Sequence, residues 1–303
     1  MPWVFVLIWS TGFVVARLGM PHAPPFSFLC VRFALSALCF FAWIALARAA
    51  WPTGRAQWSH LAVTGVLMQA GYLGGVWAAI KAGIGAGTVA LLVGLQPVLT
   101  AIWVSSRASR REAAGEATAR VSARQWAGLV LGFVGVALVV WPKLGTGEVT
   151  PFNLALAVVA LLSITVGTLY QKRYVAPCDV RSASAVQMLA ALVVCTPFAL
   201  LEAEAMDWQA PLVAAMAWSV GVLTLGGSSL LYLLIHRGEA TSVTSLLYLV
   251  PPCTALLAWA LFGEAFTASM ILGMTLTVVG VAIVVRTPRA APGSTATIEE
   301  IPG

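Results

Sequence analysis

The chain has 303 residues, 60% of them hydrophobic and only 9% charged, with a net charge of +6 and a mean hydropathy of +0.92. A soluble domain carries roughly 25% charged residues, so this composition excludes an ordinary water-facing exterior and puts most of the surface in lipid. The positive charge is no nucleic-acid footprint, because the basic residues lie in gaps between apolar runs without interleaved aromatics, and there they report topology.

A hydrocarbon core of about 30 Å needs about 20 helical residues. Cutting the sequence at charges, Pro and Gly predicts ten spans. Those of the first half are 3–20, 26–46, 58–80, 84–105 and 125–141. Those of the second are 152–170, 182–201, 211–235, 240–262 and 268–285. The first follows Met1-Pro2-Trp3 with no basic leader and closes at Arg17, which reads as a membrane helix and not a cleaved signal peptide. Leu156 to Thr168 and Met270 to Val285 hold no charge at all. Between spans four and five a polar, basic loop runs from Ser106 to Arg124, and after Arg286 the tail is rich in Pro, Ala, Thr and Gly, as disordered segments are.

With the first end inside, the inner gaps and tail hold Arg48, Arg55, Arg107, Arg110, Arg111, Arg120, Arg124, Lys172, Arg173, Arg181, Arg237, Arg286 and Arg289. The outer side keeps Lys81 and Lys143, with Arg17 and Arg32 near that face. This asymmetry predicts that both termini are cytoplasmic, in a multi-pass protein of the cell's inner (plasma) membrane.

The halves resemble each other. Shifted by 155 residues, Gly12 meets Gly167, Arg17 meets Lys172, Trp77 meets Tyr232, Gly83 meets Gly238, and Leu91-Leu92…Pro97 meets Leu246-Leu247…Pro252. Past the basic loop the shift becomes 145, and Gly128 meets Gly273 as Gly135 meets Gly280. Five spans are an odd number, so the second repeat enters the membrane from the opposite side. The expected fold is an all-α integral membrane protein, with ten transmembrane helices in two inverted five-helix repeats around a central cavity. The expected units are residues 1–142, 151–287 and a disordered tail, 288–303. Inverted repeats are a common transporter design, with the substrate site at the repeat interface.

Several sequence landmarks carry a resemblance to a known superfamily. They are Trp9-Ser10-Thr11-Gly12, the run from Pro24-Pro25 to Arg32-Phe33, and the stretch from Arg237-Gly238-Glu239-Ala240 through Pro251-Pro252 to Leu261-Phe262-Gly263-Glu264. On these the chain resembles ten-helix members of the drug/metabolite transporter superfamily built from two EamA-type repeats. Within it the chain is similar to aromatic amino acid exporters of the YddG type. The resemblance implies export of small organic solutes through a cavity between the halves. Where the second half has Gly263-Glu264 the first has Ser105-Ser106-Arg107-Ala108-Ser109, so the end of span four need not copy its counterpart.

No Asp or Glu falls near the middle of any predicted span, which argues against proton exchange through a buried carboxylate and against a dedicated cation site. Glu264, at the end of span nine, reads as a helix-end contact. The substrate-binding candidates are neutral. Gln69 and Tyr72 share a face of span three, and Gln96 lies on a stripe of span four. A Gln facing lipid would leave its amide unpaired, so both Gln side chains face a cavity or a partner helix. Pro97 and Pro252 interrupt equivalent helices and free the carbonyls of Val93 and Tyr248, either for substrate or as fixed kinks. Ser10, Gly12 and Thr165 offer close packing or a wall of small residues. Trp9, Trp77, Tyr232 and Tyr248 suit an apolar pocket for an aromatic ring, whereas Trp3, Trp51, Trp58 and Trp141 read as interface anchors.

Five cysteines show neither CxxC nor metal-ligand spacing and read as structural; no cofactor and no metal is expected. Without HExxH, GxSxG or a mid-span Asp pair, an intramembrane enzyme is not expected either. The partners implied are membrane lipid and a small-molecule substrate, foremost amino acids with aromatic or apolar side chains, with sugars or other metabolites as the alternative. A phosphorylated cargo would need cavity-facing basic residues, and Arg17, Arg32 and Lys81 are placed near span ends.

Overall fold

The computed structural model describes residues 2–103, 123–230, 249–264 and 267–286, and among these every regular element is helical. Helix α1 is Pro2–Gly19 and α2 is Pro25–Ala47. Helix α3, Arg55–Gly65, runs through a π-helical segment at Val66–Gly71 into α4, Tyr72–Lys81. Helix α5 is Ala86–Val93, and helical structure resumes after a break to end the span at Trp103. Then come α6 (Ala123–Gly145), α7 (Pro151–Tyr174) and α8 (Val180–Leu201). Helix α9, Ala210–Trp218, leads into a second π segment at Ser219–Gly226. Helices α10 (Val250–Phe262) and α11 (Ala268–Arg286) complete the set.

Seven of these spans are long and apolar enough to cross a membrane, and three shorter apolar stretches, Val6–Gly19, Val250–Phe262 and Ala268–Ile283, fall at the remaining predicted positions. Residues 104–105, 231–235 and 240–248 of the predicted fourth, eighth and ninth spans, residues 106–122 of the basic loop, and the tail lie outside the described residues. The exterior is apolar, with Leu46, Trp141, Val193, Leu200 and Leu201 all strongly exposed, as a lipid-facing surface requires.

Local chemistry sets the helix ends. Pro25 stands at the first position of α2, where its missing N–H costs nothing. Arg48 ends that helix in the left-handed conformation, its N–H bonded to the Ile44 carbonyl. Thr150 and Asn153 form a reciprocal capping box at the start of α7.

The packing follows the repeat. The shift of 155 that relates Pro25 to Val180 also relates Arg55 to Ala210, the first residues of α3 and α9. It carries the first π segment onto the second, Gly71 onto Gly226. Equivalent helices pack on each other, α2 on α8, α5 on α10, and α6 on α11. Other contacts come in exchanged pairs, with α3 on α7 matched by α1 on α9. Glycines permit this closeness. A Cβ at Gly135 would strike the Gly273 carbonyl, and one at Gly280 would strike the Gly128 carbonyl, a pair of contacts that the repeat exchanges.

Candidate functional site

The two π segments sit in the helices that face the opposite half. A π turn inserts one residue into an α-helix, frees a carbonyl from its usual partner and turns the following side chains to a new face. In the second segment the Thr224 hydroxyl donates to the Ser219 carbonyl at 2.9 Å. The same Thr224 oxygen accepts from the Arg32 Nη2 at 3.3 Å, joining α2 to the second π segment.

Arg32 corrects an expectation. Hydropathy places it near a span end, but it lies about 10 Å along α2 from Pro25 and is only 6% exposed. Its guanidinium stands 6.0 Å from the centroid of the Trp77 ring, and Phe28, one turn away on α2, stacks on that ring at 4.4 Å. Tyr72, the first residue of α4, is itself buried. Among the described residues no carboxylate lies within ion-pair distance, and the Arg32 Nε has no hydrogen-bond partner. Among the described residues the other buried side-chain polar atoms without a partner are the Ser36 and Ser219 hydroxyls. Those two residues lie on the same packed pair, α2 and the second π segment. The shift of 155 pairs Arg32 with Gln187 and Thr224 with Gln69, so both positions are polar in each repeat.

The remaining candidates fall nearby or elsewhere. Gln69 lies, half-buried, within the first π segment. Trp77 is fully buried against Phe28. The helix of span four breaks at Gly94-Leu95, where the Leu95 N–H reaches back only to the Leu92 carbonyl at 3.1 Å. Just past the break Gln96 donates to the Thr168 hydroxyl at 3.0 Å, tying this helix to α7, and Pro97 follows it. A Cβ at Gly94 would press on Pro251, so the break in one half lies against the start of α10, where Pro252 occupies the first turn. Ser10 is buried; its hydroxyl donates to the Val6 carbonyl at 2.8 Å, and its carbonyl accepts from Thr254 at 3.1 Å. Thr165 is buried and bonds back to the Leu161 carbonyl at 2.6 Å. Gly12 leaves ordinary van der Waals room to Leu223. Trp9 is 39% exposed. Tyr232 and Tyr248 lie outside the described residues.

Charged groups gather at the helix ends. Glu264 accepts from the Ala86 N–H at 2.9 Å and the Gly87 N–H at 3.4 Å, capping α5 from the end of α10, with the Arg17 Nε at 4.0 Å. Beside it Glu148 accepts from Lys143 at 2.6 Å and from the Gly85 N–H at 3.3 Å. Lys81 pairs with Glu204 at 2.7 Å, next to a concavity of about 200 Å³ lined by Arg17, Met20, Pro21, Ile80 and Lys81. At the opposite end His60 and the Tyr170 hydroxyl share a hydrogen bond of 2.8 Å, and Tyr174 stacks on His60. All described carboxylates lie at helix ends or in turns, and no group of His, Cys, Asp and Glu among the described residues could hold a metal.

Comparison with known proteins settles the family. The model of the EamA-like transporter family matches residues 3–141 and again residues 152–286, one match for each half. The chain belongs to the EamA-like transporter family. It is a multi-pass membrane protein of a transporter and efflux family. It is 25% identical to an uncharacterized transporter of Archaeoglobus fulgidus, covering 91% of this chain and 93% of the relative. It is similar also to a probable amino-acid metabolite efflux pump of Salmonella typhimurium, at 25% identity over 92% of this chain and 91% of that protein. The uncharacterized inner membrane transporter YedA of Escherichia coli is 28% identical over 93% of this chain and 87% of its own. A crystal structure 18% identical in sequence superposes with a TM-score of 0.62 over 93% of this chain and 95% of that one, and it supports the fold.

Proposed function

We propose that this EamA-family transporter exports small neutral organic solutes, foremost amino acids with aromatic or apolar side chains, by alternating access, from an inner membrane in which both its termini are cytoplasmic. The observation that carries the reading is the chemistry of the helix interior. Gln96 with Thr168, Gln69, Tyr72 and Trp77 offer neutral hydrogen bonding beside aromatic surface, and no described carboxylate lies mid-helix. The similarity to a probable amino-acid metabolite efflux pump points the same way. Two repeats, in units of 1–142 and 151–287, would supply the inward- and outward-open forms by exchanging conformations.

With no described carboxylate inside a helix to protonate, transport runs down the solute's own gradient. The test is counterflow of labelled phenylalanine, leucine and tryptophan, with glucose as control, in liposomes of the purified protein. Equal pH on both sides should suffice, and uphill accumulation that appears only with a pH gradient would refute this mechanism. Orientation is checked separately with Thr146→Cys in a background free of native cysteines. An impermeant thiol reagent should label it in intact cells, and labelling only after permeabilisation would reverse the topology.

A further inference from the structure

We propose that the Arg32 guanidinium is the anchor for a carboxylate of the transported solute, seated between α2, Trp77 and the second π segment; the proposal rests on the amino-acid reading for the rest of the cargo. A guanidinium shut inside a membrane protein without a counter-charge is unfavourable, because burial removes water and nothing replaces it. Such groups pair with one another, with backbone, or with a ligand. Arg32 is 6% exposed, has one side-chain bond, to Thr224 at 3.3 Å, and holds its Nε unbonded. The Trp77 face softens the charge without neutralising it.

The geometry suits a carboxylate. Arginine presents its donors as a planar fork that meets both carboxylate oxygens, and Nε with one Nη forms one edge of that fork. Here that edge is unfilled at Nε, while Thr224 takes one Nη2 bond. The unpartnered Ser36 and Ser219 hydroxyls lie on the same two helical segments and supply further neutral donors. The aromatic surface of Trp77 and Phe28 would then face the apolar part of the solute. Since the site is closed in this structure, the carboxylate enters when the second π segment moves away from α2. Release of the Thr224 contact is therefore part of opening.

Equilibrium binding to the purified full-length protein, using labelled ligands and competition, tests this with four probes: phenylalanine, phenylalaninamide, phenethylamine and 3-phenylpropionate. The wild type should prefer phenylalanine over its amide, and 3-phenylpropionate over phenethylamine, by roughly 10- to 100-fold, the range of a hydrogen-bonded charge contact. Arg32→Gln should abolish both preferences while leaving amide affinity within about threefold. Arg32→Lys, which keeps the charge without the fork, should retain part of each. A wild type indifferent to the carboxylate overturns the proposal whatever the variants do. So does an Arg32→Gln protein that folds, by its melting temperature, and still prefers the acid, for Arg32 is then a structural pin between α2 and the second π segment. If 3-phenylpropionate binds through Arg32 but no amino acid does, the anchor stands and the amino-acid reading falls.

Discussion

Helices α2 and α8 are equivalents in the repeat and pack against each other, yet their first turns are capped by opposite means. Asp179 caps α8 from its own half, accepting from the Arg181 N–H at 2.9 Å. Its counterpart, Pro24, has no side-chain acceptor to offer. Instead Glu202, which follows α8, reaches across to accept from the Phe26 and Ser27 N–H groups at 2.9 and 2.8 Å, and from the Ser27 hydroxyl at 2.8 Å. One half thus closes its helix locally and the other borrows its closure from the partner half. The π segments follow the same pattern: Arg32 of the first half bonds Thr224 of the second, and the positions that the repeat exchanges with them carry Gln187 and Gln69. The repeat fixes the backbone, and the side chains on it are free to differ, so a symmetric scaffold carries an asymmetric site.

The largest effects should come where the halves are alike. Gly135→Leu and Gly280→Leu occupy equivalent positions, and each would drive a side chain into opposing backbone. Overpacking of this kind costs about 3 kcal/mol or more, so both variants should lose folded protein in detergent, read by size-exclusion profile and melting temperature. If one is tolerated and its equivalent is not, the halves do not share their packing at α6 and α11.

Smaller but unequal effects are expected where the caps differ. Glu202→Ala removes three hydrogen bonds to a carboxylate at once and leaves two N–H groups of α2 without their acceptor. The loss should be about 2 kcal/mol, lowering the melting temperature by about 5 °C. Because this cap joins the halves, the same variant should loosen α2 against α8 and speed amide exchange at Phe26 and Ser27. A melting temperature equal to wild type would make the crossing contact incidental.

These features were unequally legible in the sequence. The helical spans followed from run length and charge, because membrane thickness dictates both. The glycine register of the repeat marked Gly128, Gly135, Gly273 and Gly280, which the structure presses together. The demand that a buried amide find a partner anticipated that Gln96 would face a cavity or a neighbouring helix, and it bonds Thr168. The π segments left no compositional mark, since an inserted residue looks like any other apolar one. The burial of Arg32 was not legible, because position along a span does not give the direction of a side chain, and this one points inward to Thr224. Glu202 and Glu264 act on groups 175 to 178 residues away in the chain, a pairing that only the folded bundle defines.

The smallest effect belongs to the local cap, and it carries a sign that can be checked. Asp179 is held by the Arg181 fork, Nε at 2.9 Å and Nη2 at 2.6 Å, and by the Arg181 N–H. The side-chain hydrogen bonds from Arg181 are the chief cause holding its carboxyl below the usual carboxylate value, against the opposing effect of burial. In the unfolded chain the group titrates near about 3.9. A carboxyl lowered on folding contributes stability that is fully present above that value and is lost as pH falls through the folded one. Asp179→Ala should therefore cost about 1 kcal/mol at pH 7, about half the effect of Glu202→Ala. Asp179→Asn keeps an oxygen for the cap and loses only the ionic contact. The gap between wild type and Asp179→Asn should hold steady from pH 7 to 5 and close only below about pH 4. Melting curves over that range decide it: a gap that already narrows between pH 7 and 5 would assign the titration to another group and remove Asp179 as the seat of the effect.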